Sequence, residues 1–492
     1  MGWEDTLIPH FQTVEGKNFK PNGFRITIFF TLILIIFFVI FLKIFHLQIT
    51  EGSINRQLAD GNRIQVKKIH AQRGIIFDRN GVVLARNDPG FKLGANFVSR
   101  DEVLKMEISN DPRFKELEVD NIRVYPFRDK TAHILGYIGE ISQDELKMPK
   151  FKNYTQLVAA SQKVGVCCGA IIVTDPQSGQ IISMVSLPSY DPQNINTYLN
   201  AEDFPILNRV IAGLYPPGST FKIASSLAGL SMNKITPQTK FEDTGVVNLG
   251  QYTFTNWYFT QYGKLEGSVD LVKALKRSND TYFYSLSLLT GERVLQETAK
   301  KLGFGKKTGI DIPGEVEGLV PDNEWKIKST GEVWFPGDTL HMAIGQGFVL
   351  TTPLQISNLV TTIASLGKVY PPHLGLKITS ADGKLIREFK FNYLKVNWKK
   401  EDLELVKKGL SEVTKEGGTA WPFFNFPIES AGKTGTAEYG DPQDKTHAWY
   451  TGFAPSDDPK IAVTVLVEGG GEGSAVAVPV TKEIMRLFFS TG

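Results

Sequence analysis

The sequence predicts an α+β protein carried on a membrane stalk: a single N-terminal transmembrane helix, a β-rich pedestal, then a domain built on an antiparallel sheet flanked by helices. Three observations predict it. Ile26 to Leu42 reads ITIFFTLILIIFFVIFL without one charge. Strand-like runs gather after Gly169 and again after Ala431, and the long stretch between them is patterned for helices. Strands at both ends with helices between them make one α+β domain whose sheet is closed by segments far apart in sequence.

The apolar run is bracketed by Arg25 and Lys43, and Ile44 and Phe45 extend it towards the ~20 residues a bilayer requires. Its apolarity on all sides argues against a buried core helix. The following KIFHLQITEGSINR offers no small-residue cleavage site, so residues 26–45 read as an uncleaved anchor and not as a signal peptide. Lys17, Lys20 and Arg25 precede the span, and Lys43 and Arg56 follow it, a small positive-inside bias. The tail 1–25 is read as cytoplasmic because all the candidate chemistry lies beyond the span.

Residues 46–160 form the expected pedestal, mixed in period and poor in candidate catalytic groups. Strand pieces around DRNG, Asp78 to Gly81, signal a hairpin. His133 sits alone in an apolar context and is read as structural. Residues 165–492 form the expected catalytic domain. GAIIVTDPQSGQIISMVS folds as a hairpin about Asp175, Pro176, Ser178 and Gly179. AGKTGTAEYG, HAWYTGFAP and KIAVTVLVEGG read as three successive strands, while STFKIASSLAGLSM, VDLVKALKRS and EDLELVKKGLSEVTK read as helices.

In 492 residues the formal net charge is only +2, with both signs interleaved, which excludes the basic surface of a nucleic-acid binder. Cys167 and Cys168 are the only cysteines. They are read as small buried residues of a strand, pointing to opposite faces, and not as a redox or metal pair.

The chemistry concentrates in YPPGSTFK, Tyr215 to Lys222. The prolines and glycine end the preceding structure and Ser219 opens a helix, which brings Lys222 to the same face one turn on. A serine hydroxyl needs a base to become a nucleophile. Lysine can serve when burial, the helix dipole and a second cation disfavour its ammonium. Alone, S-x-x-K is as readily a capped helix followed by a solvated lysine. Ser278, Asn279 and Asp280 add an S-N-D at a helix boundary suited to a cleft wall, and Lys433, Thr434, Gly435 and Thr436 begin a strand as K-T-G-T. Lys433 supplies the second cation, and Gly435 would let a ligand backbone approach the strand. The three fragments in this order form a known set in penicillin-binding proteins and class A β-lactamases.

With these motifs, and with RGIIFDRNGVVLA, VTDPQSGQIISMVSLPSYDP, GFGKKTGIDIPGE, IGQGFVLTTPLQ and HAWYTGFAP, the chain resembles the class B penicillin-binding proteins, within them the elongation-type penicillin-binding protein 2. The resemblance implies a penicillin-binding transpeptidase domain and peptidoglycan D,D-transpeptidase activity. Ser219 would be the nucleophile, Lys222 its base and Ser278 a proton relay towards Lys222 and Lys433. The N–H groups of Ser219 and Thr436 would form the oxyanion hole. Thr434 and Thr436, with Lys433 near, would hold the substrate carboxylate. Implied partners are peptidoglycan stem peptides, β-lactams as inhibitors, the plasma membrane and a membrane glycosyltransferase; no cofactor is implied.

Three departures stand out. Asp280 replaces asparagine in the S-x-N motif, as in many elongation-type members, leaving its hydrogen bonding open. The pedestal lacks a glycine-rich segment after HILGYIGEISQDEL, which puts docking to the glycosyltransferase in doubt. Some relatives bind zinc beside the site with a histidine and a cysteine among the ligands; FEDTGVVNLGQYTFTNWYFTQYGKLEGSVDL has neither, and no metal is expected. The alternatives are a D,D-carboxypeptidase or β-lactamase, in which water resolves the acyl-enzyme, and a non-catalytic scaffold or β-lactam sensor. The anchor and pedestal favour transpeptidation, and intact Ser219, Lys222 and Lys433 disfavour a scaffold.

Overall fold

The computed structural model describes residues 23–54, 56, 73–94, 96–135 and 165–490. These fall into two units, one ending at residue 72 and one beginning at 73. The first holds α1, Gly23–Phe45, continued by a π-helical turn, His46–Thr50. It is long and apolar enough to cross a membrane, with a mean hydropathy of 3.0 over its most apolar window. At 1.5 Å per residue α1 spans about 34 Å, against about 30 Å for a hydrocarbon core. Its polar groups are satisfied within the helix: the Thr27 and Thr31 hydroxyls donate to the carbonyls of Gly23 and Thr27, as a lipid environment requires.

The second unit opens with the pedestal strands β1 (Ile76–Phe77), β2 (Val83–Leu93), β3 (Asn96–Val98) and β4 (Leu117–Val124), all antiparallel, with β2 pairing the other three. The expected hairpin joins β1 to β2. Asp78 closes its turn by accepting from the Asn80 and Val82 N–H groups, and Gly81 takes a positive φ. Helix α2, Arg100–Ile108, begins with a capping box between Ser99 and Glu102. His133, on α3 (Ala132–Leu135), is structural as expected. Its ring bonds the Pro205 carbonyl at 2.8 Å, and burial lowers its pKa to about 4. Most of the stretch read as the shortened end of the pedestal lies outside the described residues.

The core of the unit is a five-stranded antiparallel sheet made, in spatial order, of β15 (Ala431–Glu438), β16 (Thr446–Ala454), β17 (Ile461–Val467), β5 (Gly169–Thr174) and β6 (Ile181–Leu187). Strands β5 and β6 form the expected hairpin. Strands β15, β16 and β17 are the expected C-terminal three. β17 pairs with β5 from Ala462↔Thr174 to Val467↔Gly169, closing the sheet between distant segments. Both faces are covered. Ala462 and Leu466 pack with Ile172 and Trp449 into the core shared with the helices, while Val463, Val465 and Val467 face a second core with Val478 and Ile484 of the C-terminal helix, Ala477–Ser490. Two buried faces explain why IAVTVLV is a continuous apolar run and not an alternating one.

Helices that pack into the first core include α4 (Lys222–Ser231), α6 (Leu271–Arg277), α7 (Asp280–Thr290), α8 (Pro353–Ala364) and α9 (Lys400–Val413), while the short α5 (Trp257–Tyr262) buries none of its residues. Between α4 and α6 the chain makes an excursion of short strands. β7 (Lys240–Asp243) pairs with β10 (Gly267–Asp270), and β8 (Val246–Leu249) with β9 (Tyr252–Thr255); between α8 and α9, β11 (Lys368–Val369) pairs with β14 (Leu394–Lys395) and β12 (Lys377–Thr379) with β13 (Leu385–Glu388).

The cysteine reading is corrected. Cys167 and Cys168 are joined by a disulfide, Cys167 is exposed, and both precede β5 instead of lying in it. The strand starts only at Gly169, so the alternation argued for the pair has no pleat to act on.

Candidate active site

Ser219 stands in a 3₁₀ turn, Gly218–Phe221, that runs directly into α4 at Lys222. Residues three apart eclipse in a 3₁₀ helix, so the S-x-x-K spacing stacks the two side chains as expected. The turn is wedged between two backbones. A Cβ on Gly345 would come within 2.1 Å of the Gly218 carbonyl oxygen, and one on Gly218 within 2.9 Å of the Thr436 carbonyl oxygen. Gly218 donates its N–H to Gly345 at 2.8 Å, Tyr215 exchanges backbone hydrogen bonds with Thr351, and the Trp449 indole donates to the Pro216 carbonyl at 3.1 Å. Tyr215 also donates its hydroxyl to Glu468 at 2.6 Å, a carboxylate that accepts from Arg209 at 2.7 Å.

Gly435 belongs to this packing. A Cβ there would meet the Trp449 Cβ at 3.0 Å, Thr220 Cγ2 at 3.1 Å and the Pro217 carbonyl oxygen at 3.3 Å. The close approach at Gly435 is thus made by the protein's own turn, where the sequence suggested a ligand. Gly435→Ala is expected to push the turn off β15 at an overpacking cost of about 1–3 kcal/mol and to lower the rate of reaction with a labelled penicillin about tenfold. An unchanged rate in the folded variant would show that the turn tolerates the displacement.

Ser278 caps α6 with a φ of 53°, the left-handed conformation that a non-glycine residue holds at a cost of about 1–3 kcal/mol. Asn279 caps α7 and accepts from the Tyr282 N–H. The strained corner aims Ser278 between the two lysines. Lys433 Nζ donates to Ser278 Oγ at 2.8 Å and to the Thr434 carbonyl at 3.0 Å. Lys222 Nζ donates to Ser278 Oγ at 3.3 Å, to the Ser278 carbonyl at 2.8 Å and to Asp280 Oδ1 at 2.6 Å. Both lysines are fully buried. The Ser219 hydroxyl makes no hydrogen bond among the described residues.

Burial lowers the Lys222 pKa, against the pull of Asp280, which favours the ammonium. Lys433 falls well below the ordinary lysine value, from burial first and from the charge of Lys222 next. The sequence suggested that Lys433 would discharge Lys222. The structure gives the larger effect to Lys433, because Asp280 is bonded to Lys222 alone. The hydrogen bonding of Asp280, open in the sequence, is this ion pair.

The structure thus brings Lys222, Ser278, Asp280 and Lys433 into one buried hydrogen-bonded chain. Thr434 is buried, and its hydroxyl pairs with that of Thr419 at 2.7 Å. Thr436 is exposed, and its hydroxyl accepts the Gly473 N–H at 3.4 Å. Thr419, Asn256, Trp257 and Asp243 were missed. The Trp257 N–H donates to Asp280 Oδ2 at 3.0 Å, Asn256 Oδ1 accepts the Asp280 N–H at 3.1 Å, and Asn256 Nδ2 donates to Asp243 at 3.1 Å. The signal was faint: a T-N-W before a short helix marks a cap, without saying what the cap faces.

Asp243 lies in the stretch where zinc-binding relatives carry ligands. Each of its oxygens accepts from two N–H or O–H donors, a donor set that does not fit a cation. Elsewhere among the described residues, Cys167, Cys168 and Asp203 lie close together, but the two sulfurs are bonded to each other.

Fold and site define a class, the serine acyltransferase domains built on a five-stranded antiparallel sheet, and comparison with known proteins narrows it. Residues 169–486 match the family described as penicillin binding protein transpeptidase domain, and residues 95–160 match the penicillin-binding protein dimerisation domain. The chain belongs to the penicillin-binding protein transpeptidase family. The peptidoglycan D,D-transpeptidase MrdA of Acinetobacter baumannii is 28% identical over 95% of this chain and 88% of its own length. MrdA of Escherichia coli K12 is 27% identical over 92% of each. Among solved structures, Pseudomonas aeruginosa PBP2 in complex with WCK 5153 is 33% identical with a TM-score of 0.66, covering 86% of this chain and 97% of that one. The complex of PBP2 and MreC from Helicobacter pylori is 26% identical with a TM-score of 0.69, covering 85% and 98%.

Proposed function

We propose that the chain is a peptidoglycan D,D-transpeptidase of the elongation type, joining stem peptides through an acyl-enzyme on Ser219. The observation that carries this reading is the buried chain Lys222–Ser278–Lys433, set one 3₁₀ turn from a serine at the head of a helix. Two lysines in one dry site do not both stay charged. The pair shares one proton, which Asp280 favours on Lys222 while Lys433 stays neutral; Lys222 becomes the base when that proton passes through Ser278 Oγ to Lys433.

Lys222 then takes the Ser219 hydroxyl proton as Oγ bonds to the carbonyl carbon of the penultimate D-alanine. The bond from that carbon to the terminal D-alanine nitrogen breaks, and the nitrogen receives a proton through Ser278. The amine of a second stem peptide gives a proton back to the lysines and attacks the ester. The carbon–Oγ bond breaks, Ser219 regains its proton and the new amide is the cross-link. The Ser219 and Thr436 N–H groups serve the developing oxyanion. Lys433, Thr434 and Thr436 hold the terminal carboxylate, with Thr419 orienting Thr434 and Gly435 keeping β15 against the turn. A β-lactam enters the first step and stops there.

The same reading anchors residues 26–45 in the plasma membrane with the tail 1–25 in the cytoplasm. Residues 46–160 act outside as the pedestal and 165–492 as the catalytic domain. The Helicobacter pylori relative was solved with MreC. By analogy this chain works in a cell-wall assembly whose partners include a membrane glycosyltransferase.

Intact-protein mass spectrometry of the full chain in detergent, incubated with a labelled penicillin, tests the reading. One adduct is expected on the wild type and none on Ser219→Ala. A folded wild type that takes no label would overturn it.

A further inference from the structure

We propose that Asn256 is a positioning residue for the reaction, clipping Asp280 onto Lys222, with Asp243 as the latch that holds Asn256 in place. This rests on the reading of Ser219, Lys222 and Asp280 given above, and adds to it a part of the chain that carries no catalytic motif, the excursion 240–267 between α4 and α6.

Asp280 is the first residue of α7, and its backbone N–H is one of the donors a helix start leaves without an intrahelical partner. Asn279 spends its side-chain oxygen on the Tyr282 N–H. The Asp280 N–H is taken instead by Asn256, fully buried and 24 residues upstream. The next residue, Trp257, donates its N–H to the carboxylate of the same aspartate. Its indole donates to the Arg277 carbonyl at 3.0 Å, tying the excursion to the end of α6. Asp280 is therefore gripped at backbone and side chain by two adjacent residues of one segment, and its remaining oxygen points at Lys222.

That segment has no large core of its own to hold it there. Asp243 does this work with a carboxylate that is nearly inaccessible to solvent. Oδ1 accepts from Gly245 N–H at 3.0 Å and Thr281 Oγ1 at 2.6 Å; Oδ2 accepts from Asn256 Nδ2 at 3.1 Å and Glu266 N–H at 2.9 Å. One anion thus closes the β7–β8 turn, the return to β10, the asparagine clip and the first turn of α7. Burial alone would raise its pKa, but hydrogen bonds from Thr281, Glu266, Gly245 and Asn279 outweigh this and hold it below the ordinary value, so it stays an acceptor.

The consequence concerns a proton. The charged groups facing Lys222 are Asp280 from α7 and Lys433 from β15, with the Phe283 ring 5.5 Å from Nζ. On the Asp243 side stands Glu266, paired with Arg277 and Lys273. Asp280 is the one anion bonded to Lys222, so loosening it withdraws the partner that favours the ammonium. Neutral Lys222 then appears at lower pH, while the lysine loses the contact that fixes its position.

The test is the second-order rate of reaction of the full chain with a labelled penicillin, followed against pH. Asn256→Ala is expected to lower the plateau about tenfold and to move the ascending limb about one unit towards acid. Thr281→Val removes one donor from Asp243 and moves the limb in the same direction by less. Glu315→Gln serves as the structural control. It loosens a loop latched by the Thr308 and Gly309 N–H groups, makes no contact with Lys222 or Asp280, and should leave the limb in place. A folded Asn256→Ala with an unmoved limb overturns the proposal, as does a Glu315→Gln limb that moves equally. If Asn256→Ala does not fold, Thr281→Val decides in the same way. A wild type without adduct fails at the earlier reading and takes this role with it, whereas a labelled wild type with unmoved variants sinks only the clip.

Discussion

Lys222→Met is expected to abolish reaction with penicillin, by about ten-thousand-fold, and to destabilise the chain by about 3–5 kcal/mol. The first effect removes the base. The second comes from Asp280, whose carboxylate is only 11% exposed and sits 2.6 Å from the lysine. Without Lys222, a buried anion is left with the Trp257 N–H as its remaining side-chain partner. Removing both charges removes that penalty, so Lys222→Met with Asp280→Asn should recover most of the stability and none of the activity. Denaturant titration of the single and double variants gives the answer. A double variant as unstable as the single one would mean that the loss comes from packing around the lysine stem and not from the unpaired charge.

Lys433→Met is expected to lose about a thousandfold in the same reaction and to flatten the dependence of stability on pH. Burial, with Lys222 beside it, holds the folded Lys433 well below 10.5, while the unfolded chain protonates it at the ordinary value. Between the two values the unfolded state binds more protons, so stability rises with pH. This contribution is fully present above 10.5 and is lost as pH falls towards the folded value. Methionine has no proton to take up, and the variant's slope between pH 7 and pH 10 should be shallower than that of the wild type. A slope equal to the wild type's would show that Lys433 is an ammonium in the folded chain, and the proton relay through Ser278 would lose its acceptor.

Much of the site was legible because local rules dictate it. The S-x-x-K spacing became a 3₁₀ turn with its lysine three residues on, and S-N-D fell at the junction of two helices. K-T-G-T fell within the edge strand of the sheet, which opens two residues earlier at Ala431. The ion pair of Asp280 was not legible. Local sequence identifies a helix start at 280, but the partners of that start come from residues 222 and 256, and no periodicity links such positions. The packing at Gly435 was legible only in part, for a related reason. A glycine in a strand announces a close approach, yet whether a ligand or the chain itself approaches depends on where the turn at Pro217 is packed. The cysteines were misread because the apolar run around them starts before the strand, which begins only at Gly169.

The sequence by itself determined the apolar N-terminal helix, the strands, the other helices and the family to which their motifs belong, since apolar runs, turn residues and short spacings act over a few residues. The tertiary structure alone decided which charges are paired, which lysine is driven to give up its proton and which distant segment grips Asp280. Those outcomes depend on burial and on contacts between residues tens to hundreds of positions apart. In a dry interior such contacts set the energy of every charge, and they exist only once the chain has folded.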